Sequence, residues 1–177
     1  MRVRRIAFAL MFGCAVLAAI ETVGAAGLEI TSPAFKNNAS IPAKYTCEGQ
    51  GVNPELVFTG VPAAAKSLAL IVEDPDVPKD LMPSGVFDHW LVWDLPATTK
   101  GIKEGERKAE GLNGTGTSGY IGPCPPDRSH RYFFKVYALD TMLTGKKIAN
   151  KDDLLAAMKG HIVQQAELVG TYDKQNK

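Results

Sequence analysis

An excess of either charge is missing from this chain. Its 20 Lys and Arg against 19 Asp and Glu in 177 residues leave a formal net charge of +1. That balance excludes the basic stripe that follows a nucleic-acid backbone and the polybasic patch that holds an anionic membrane, so an anion can be bound only in a local pocket. Histidine is scarce, at three residues, which confines histidine proton chemistry near neutral pH to His89, His130 and His161. Cysteine is equally scarce, at three. No apolar run reaches the roughly 18 to 20 residues that a bilayer-spanning helix needs. The stretch from Ile6 to Ile20 falls short, and Glu21 closes it without a basic stop-transfer cluster.

That short stretch has another reading. Arg2, Arg4 and Arg5 precede it and the small residues Gly24, Ala25, Ala26 and Gly27 follow it, the layout of a secretory signal peptide. Cleavage after Ala25 or after Ala26 satisfies the small-residue rule, and Ala26 is favoured because it leaves Gly24 and Ala26 at the two recognition positions. Residues 1–26 are therefore read as a signal peptide and 27–177 as one domain, exported to a periplasm or secreted. The exported part carries 17 basic against 18 acidic residues, a net charge near −1. Cys14 leaves with the signal, and Met11, Phe12 and Gly13 before it make a poor lipidation site. Cys47 and Cys124 remain, addressed to an oxidising compartment. They either meet and pair, closing a long loop worth up to about 4 kcal/mol on the chain-entropy model, or stay as separate buried thiols.

Strand signals dominate the rest. Leu68, Leu70 and Val72 alternate in the run from Ser67 to Glu73, which stops at the turn Asp74-Pro75-Asp76. From His89 to Leu95 the cluster Trp90, Leu91, Val92, Trp93 has no period and predicts a strand buried on both faces. A third strand is expected from Arg131 to Leu139, with shorter ones at Leu28 to Thr31 and Leu56 to Thr59. One helix is predicted from Lys151 to Val169, capped by Asn150 or Asp152 and ended by Gly170, with Leu154, Leu155, Met158, Ile162 and Val169 as its apolar stripe. The expected fold is mostly β, an antiparallel β-sandwich with a C-terminal helix.

Alternate residues of a strand share a face, so His130, Tyr132, Phe134, Val136 and Ala138 project together, and Asp74 ends the face begun by Leu68. Polar tips at the ends of apolar faces suit a shallow pocket at a sheet edge. The segment Gly119-Tyr120-Ile121-Gly122-Pro123-Cys124-Pro125-Pro126 between these strands is stiffened by its prolines and opened to close approach by its glycines, as a pocket floor requires. Asp74-Pro75-Asp76, His89-Trp90-Leu91-Val92, that segment and His130-Arg131-Tyr132 together resemble the two signature regions of the phosphatidylethanolamine-binding proteins. The Cys-Pro-Pro form of the loop and Tyr45-Thr46-Cys47-Glu48-Gly49 resemble the bacterial, Raf kinase inhibitor-like branch.

The resemblance implies a large antiparallel sheet packed on a smaller one and a pocket for a small anion or a phosphorylated headgroup. Asp74, His89, Pro125, His130 and Tyr132 would line it, with Tyr120, Gly122, Cys124 and Pro126 shaping its wall. It also implies homodimers, as in bacterial relatives. Two departures stand out. Eukaryotic members carry a His pair where this chain has Asp88 and His89, and they gate the pocket with a C-terminal segment, whereas here the chain ends soon after the predicted helix.

Other chemistries have weaker support. A cysteine hydrolase would pair Cys124 with His130, but no nucleophile-elbow sequence accompanies them and a bridge to Cys47 would abolish the thiolate. A metal site from Asp74, His89 and His130 lacks the tight spacing of metal motifs, and no cofactor is expected. The runner-up is an inhibitor or regulator of an envelope protease or kinase, acting through the pocket rim. His161 is read as a solvated helix side chain. Asn38 and Asn113 begin Asn-x-Ser/Thr sequons that matter only in a eukaryotic secretory pathway.

Overall fold

A computed structural model describes residues 27–106 and 111–175; the predicted signal peptide lies outside them. Eight strands and one helix follow in order: β1 (Glu29–Thr31), β2 (Ala39–Ser40), β3 (Leu56–Thr59), β4 (Ser67–Asp74), β5 (Phe87–Pro96), β6 (Gly101–Ile102), β7 (His130–Leu139), α1 (Lys151–Met158) and β8 (Ile162–Tyr172). The smaller sheet runs β1-β3-β6, all antiparallel. The larger runs β2-β8-β7-β4-β5 and is mixed, because β2 pairs parallel with β8 through Ala39↔Gly170 and Ser40↔Thr171. The expected wholly antiparallel sheet is corrected by that one short strand.

Both sheets share one core. Ile30, Leu56, Phe58 and Ile102 of the smaller sheet meet Leu68, Leu70, Val72, Trp90, Val92, Phe134, Val136 and Leu168 of the larger. The back of the larger sheet is buried as well. Ala69, Ile71, Leu91 and Tyr137 pack under Leu143, Leu154 and Met158, so β4 and β5 are apolar on both faces where the helix side covers them. Burying Leu154 and Met158 fully is worth about 1.5–3 kcal/mol each, and holds α1 down.

The predicted 19-residue helix is corrected to two elements. Asn150 Oδ1 accepts the Asp153 amide at 3.0 Å while Asp153 Oδ2 accepts the Ala149 amide at 3.0 Å, a reciprocal cap that starts α1 as expected. The helix stops at Met158, where Gly160 takes φ +82 and turns the chain. Strand β8 follows and pairs along the whole of β7, from His130↔Tyr172 to Leu139↔Ile162. Ala166, Leu168 and Tyr172 alternate into the core, a period of two. Leu155 and Ile162, expected on a helical stripe, are exposed. Strand β8 thus lies inside the larger sheet, between β2 and β7, and His161 sits exposed at its start, its Nδ1 at 2.9 Å from Asp140.

Candidate functional site

One end of β4, β5 and β7 builds a pocket of about 230 Å3 lined by Asp74, Val77, Phe87, His89, Ile121, Gly122, Cys124 and Pro126. The register accounts for it. Val72 faces Trp90 across β4 and β5, yet Glu73 faces Asp88, so His89 is the extra residue of a β-bulge. Trp90 lies in the shared core, and simple alternation would send His89 to the opposite face. The bulge re-aims it instead: its ring lies edge-on to Tyr132 with centroids 5.2 Å apart, and against Phe87 at 4.8 Å. Asp88 goes the other way and meets Lys151 Nζ at 2.6 Å, so it does not line this pocket.

His89 is 5% exposed. Its Nδ1 donates to the Ile121 carbonyl at 2.7 Å, which leaves Nε2 for a ligand. Burial pushes its pKa below the ordinary histidine value, against the opposing pull of the Ile121 carbonyl and Asp74. The neutral ring therefore presents Nε2 as an acceptor, and protonation would turn it into a donor.

Asp74 holds two positions together. Its Oδ1 accepts the Asp76 amide at 2.8 Å, an Asx turn that shapes the Asp-Pro-Asp corner, and its Oδ2 meets His130 Nδ1 at 2.7 Å. His130 has no side-chain exposure, and its other nitrogen, Nε2, lies 2.8 Å from Asp127 Oδ1. Beyond Asp74, Asp76 clasps Arg131 through two side-chain bonds of 2.8 and 2.7 Å, which draw its pKa down to about 2.

The wall loop is pinned from below. Cys47 and Cys124 are bonded, with Cα atoms 5.4 Å apart, so the Cys124 sulfur is no nucleophile in this state. The Cys47 amide donates to the Pro123 carbonyl at 3.0 Å and Tyr120 Oη to the Tyr45 carbonyl at 3.0 Å. Between Gly122 and Pro126 only Gly122 and Cys124 keep backbone N–H groups, since the rest are prolines.

Of the nine residues expected at the site, Asp74, His89, Gly122, Cys124 and Pro126 line the pocket. Tyr132 and His130 stand behind it, backing His89 and Asp74. Tyr120 anchors the loop, its ring edge-on to Trp90, and Pro125, between Cys124 and Pro126, is buried without lining the pocket. The Tyr132 hydroxyl is buried without a hydrogen bond of ordinary geometry, and burial together with the nearby Asp74 charge raises its pKa. Sequence reasoning missed Val77, Phe87 and Ile121, whose apolar side chains gave no site signal, and Asp127. A larger groove of about 550 Å3 between β1 and β8 is lined by Ile30, Phe35 and Leu168, but its charged residues, Glu29, Lys36 and Glu167, are all exposed and none converge. Among the described residues no cluster of three or more His, Cys, Asp or Glu side chains could hold a metal ion.

Comparison with known proteins assigns the family. Residues 31–173 match the phosphatidylethanolamine-binding protein family. A UPF0098 protein of Chlamydia pneumoniae is 50% identical over 149 residues, covering 83% of this chain and 99% of its own. One from the archaeon Methanothermobacter thermautotrophicus is 42% identical, covering 82% and 98%. Among crystal structures, the homolog CT736 of Chlamydia trachomatis superposes with a TM-score of 0.82 at 47% identity, over 84% of this chain and 99% of that one. Escherichia coli YbcL, described as a new member of the mammalian family, gives 0.73 at 27% identity over 85% and 100%. The protein belongs to the phosphatidylethanolamine-binding protein family.

Proposed function

We propose that this chain is an exported, non-enzymatic binding module whose Asp74–His89–Gly122 pocket takes a small anion, either free phosphate or the phosphate of a lipid headgroup. The observation that carries the reading is His89, a buried histidine on a bulge with one nitrogen tied to the Ile121 carbonyl and the other left to the pocket. A protonated Nε2–H gives a phosphate oxygen a charge-assisted bond, and the amides of Gly122 and Cys124 are the wall's backbone donors. A pocket of about 230 Å3 suits a phosphate-sized group better than a whole lipid. Export rests on the sequence of residues 1–26, and a disulfide at the pocket wall fits an oxidising compartment.

Calorimetric titration with phosphate and with phosphorylethanolamine tests the reading. Binding is expected to take up a proton, seen as heats that change with the ionisation enthalpy of the buffer, and to weaken as the pH rises. His89→Gln is expected to bind about tenfold more weakly, the scale of one charge-assisted bond, and to lose the proton uptake. A folded protein that takes up neither ligand sinks the anion reading.

A second reading keeps the same surface and changes the occupant to an envelope protease or kinase. Its support is Leu81, 63% exposed in the loop between β4 and β5 that supplies Val77 to the pocket.

A further inference from the structure

The bridge at the pocket wall lies on the surface while its neighbours in sequence are buried. Cys47 and Cys124 are both exposed, whereas Tyr45, Thr46, Gly122, Pro123 and Pro125 are buried. Neither cysteine belongs to either apolar core. Thiol–disulfide exchange needs an attacking thiolate to reach a sulfur, so burial is what shields a structural bridge, and exposed bridges are the labile ones. That shield is missing here.

The backbone on each side of the bridge is held without it. Thr46 Oγ1 donates to the Ala43 carbonyl at 2.9 Å and accepts the Glu48 amide at 3.2 Å, which fixes the turn that carries Cys47. The Ile121 amide donates to the His89 carbonyl at 3.0 Å, and Arg128, beyond the wall loop, donates to the Asp76 carbonyl at 3.3 Å. The Cys47 amide on the Pro123 carbonyl joins the two segments directly. None of these bonds involves sulfur, so all of them persist when the S–S bond opens. Two thiols then remain on Cα atoms 5.4 Å apart, a spacing from which the bridge re-forms without backbone movement.

We propose that Cys47–Cys124 is a thiol-exchange site of the folded protein, whose co-reactant is a small thiol or dithiol, and that an adduct left on Cys124 occupies the pocket. An incoming thiolate attacks one sulfur, a new S–S bond forms between reagent and protein, and the protein S–S bond breaks. The leaving cysteine carries off the electron pair as a thiolate and takes a proton from water. A second thiol of the reagent completes the reduction by displacing the first, so the protein gains two electrons and two protons and the reagent leaves as its disulfide. The two sulfurs give different intermediates. Cys124 lines the pocket with Asp74, Phe87 and His89, and Cys47 does not. A thiol joined to Cys124 therefore fills space that a ligand would take, while one joined to Cys47 stays outside. The other cysteine can attack the mixed disulfide, expel the small thiol and restore the bridge, which makes the modification reversible.

The test begins with the unaltered protein and dithiothreitol at several urea concentrations below the unfolding transition, with free thiols trapped by alkylation and counted by intact mass. The reduction rate is expected to rise in proportion to dithiothreitol and to stay flat in urea, and the reduced protein should keep its dispersed amide NMR spectrum. A rate that climbs by roughly tenfold or more per molar urea, as the unfolded population does, would mean that the bridge is reached only through the unfolded chain and would overturn the site. The second measurement places the adduct. Cys47→Ser and Cys124→Ser are each treated with bis(2-hydroxyethyl) disulfide, which leaves a small neutral thiol on the remaining cysteine. The ring signals of Phe87 and His89 should shift with the adduct on Cys124 and stay in place with the adduct on Cys47. Rings that ignore the Cys124 adduct, or that move equally with both, overturn the occupancy of the pocket. The first measurement needs no variant, so it decides the exchange even where a single-cysteine protein fails to fold. Neither readout uses phosphate, and the exchange site stands or falls apart from the anion reading.

Discussion

At the scale of single residues, the pocket depends on close approach as much as on charge. A Cβ on Gly122 would stand 2.8 Å from the Tyr45 carbonyl and 2.9 Å from Thr46 backbone atoms, and backbone cannot swing aside as a side chain would. Gly122→Ala is expected to push the wall loop away from the segment at Tyr45, destabilise by about 1–3 kcal/mol as overpacking does, and weaken phosphate binding beyond that loss. A denaturation midpoint together with a phosphate titration checks both halves. The alternation of β7 and the Asp-Pro-Asp corner put Asp74, His130 and Tyr132 at the ends of apolar faces, and only the family resemblance brought them into one pocket. His89 reaches them through a bulge, and a run of four apolar residues after it carries no period from which a bulge could be read. Asp127 was illegible for another reason: its role depends on how a proline-stiffened loop returns to the strand, a tertiary matter that local spacing does not encode.

At the scale of elements, the larger sheet and its helix are stitched by a charged chain. Glu73 of β4 accepts from Lys135 of β7 at 2.6 Å and from Lys151 of α1 at 2.9 Å, and Lys151 also reaches Asp88 of β5 at 2.6 Å. Burial pushes the Glu73 pKa up, but the hydrogen bonds from Lys135 and Lys151 outweigh it and the carboxyl ends below its ordinary value of 4.5. A depressed folded pKa gives stability that is present above the unfolded value and lost as the pH falls through the folded one. Glu73→Ala is therefore expected to cost about 1–3 kcal/mol near neutral pH, with the gap to the unaltered protein closing in acid; urea midpoints at several pH values measure it. The same region shows why the C-terminal helix was misread. Leu154, Met158 and Ile162 fall at helical spacing by coincidence across a boundary, and Gly160, free to take positive φ, ends the helix between them. Beyond it, Ala166, Leu168 and Tyr172 carry a period of two, but the neighbour that makes β8 a strand, β7, is supplied only by the fold.

At the scale of the whole molecule, one covalent tie joins the pocket to the segment before β3. The bridge spans 77 residues of sequence, enclosing β3 to β6 and the loops of the pocket. Closing so long a loop removes much freedom from the unfolded chain, worth about 4 kcal/mol on the entropic account. In the folded state the two segments are also joined by the Cys47 amide on the Pro123 carbonyl and by Tyr120 on the Tyr45 carbonyl, and neither cysteine contributes to the shared core. Loss of the bridge should thus lower stability without abolishing the fold. Replacing both cysteines by serine is expected to lower the melting temperature by about 10 °C, taking roughly 2–4 °C per kcal/mol for a chain of this size, and treatment of the unaltered protein with a thiol reductant should reproduce that shift. Phosphate affinity should fall further in the serine variant than in Glu73→Ala, since the bridge holds a lining residue and Glu73 does not. A variant that melts with the unaltered protein would mean that the unfolded chain already keeps these two segments together, and the stabilisation would then have to be sought in residual structure rather than in loop closure.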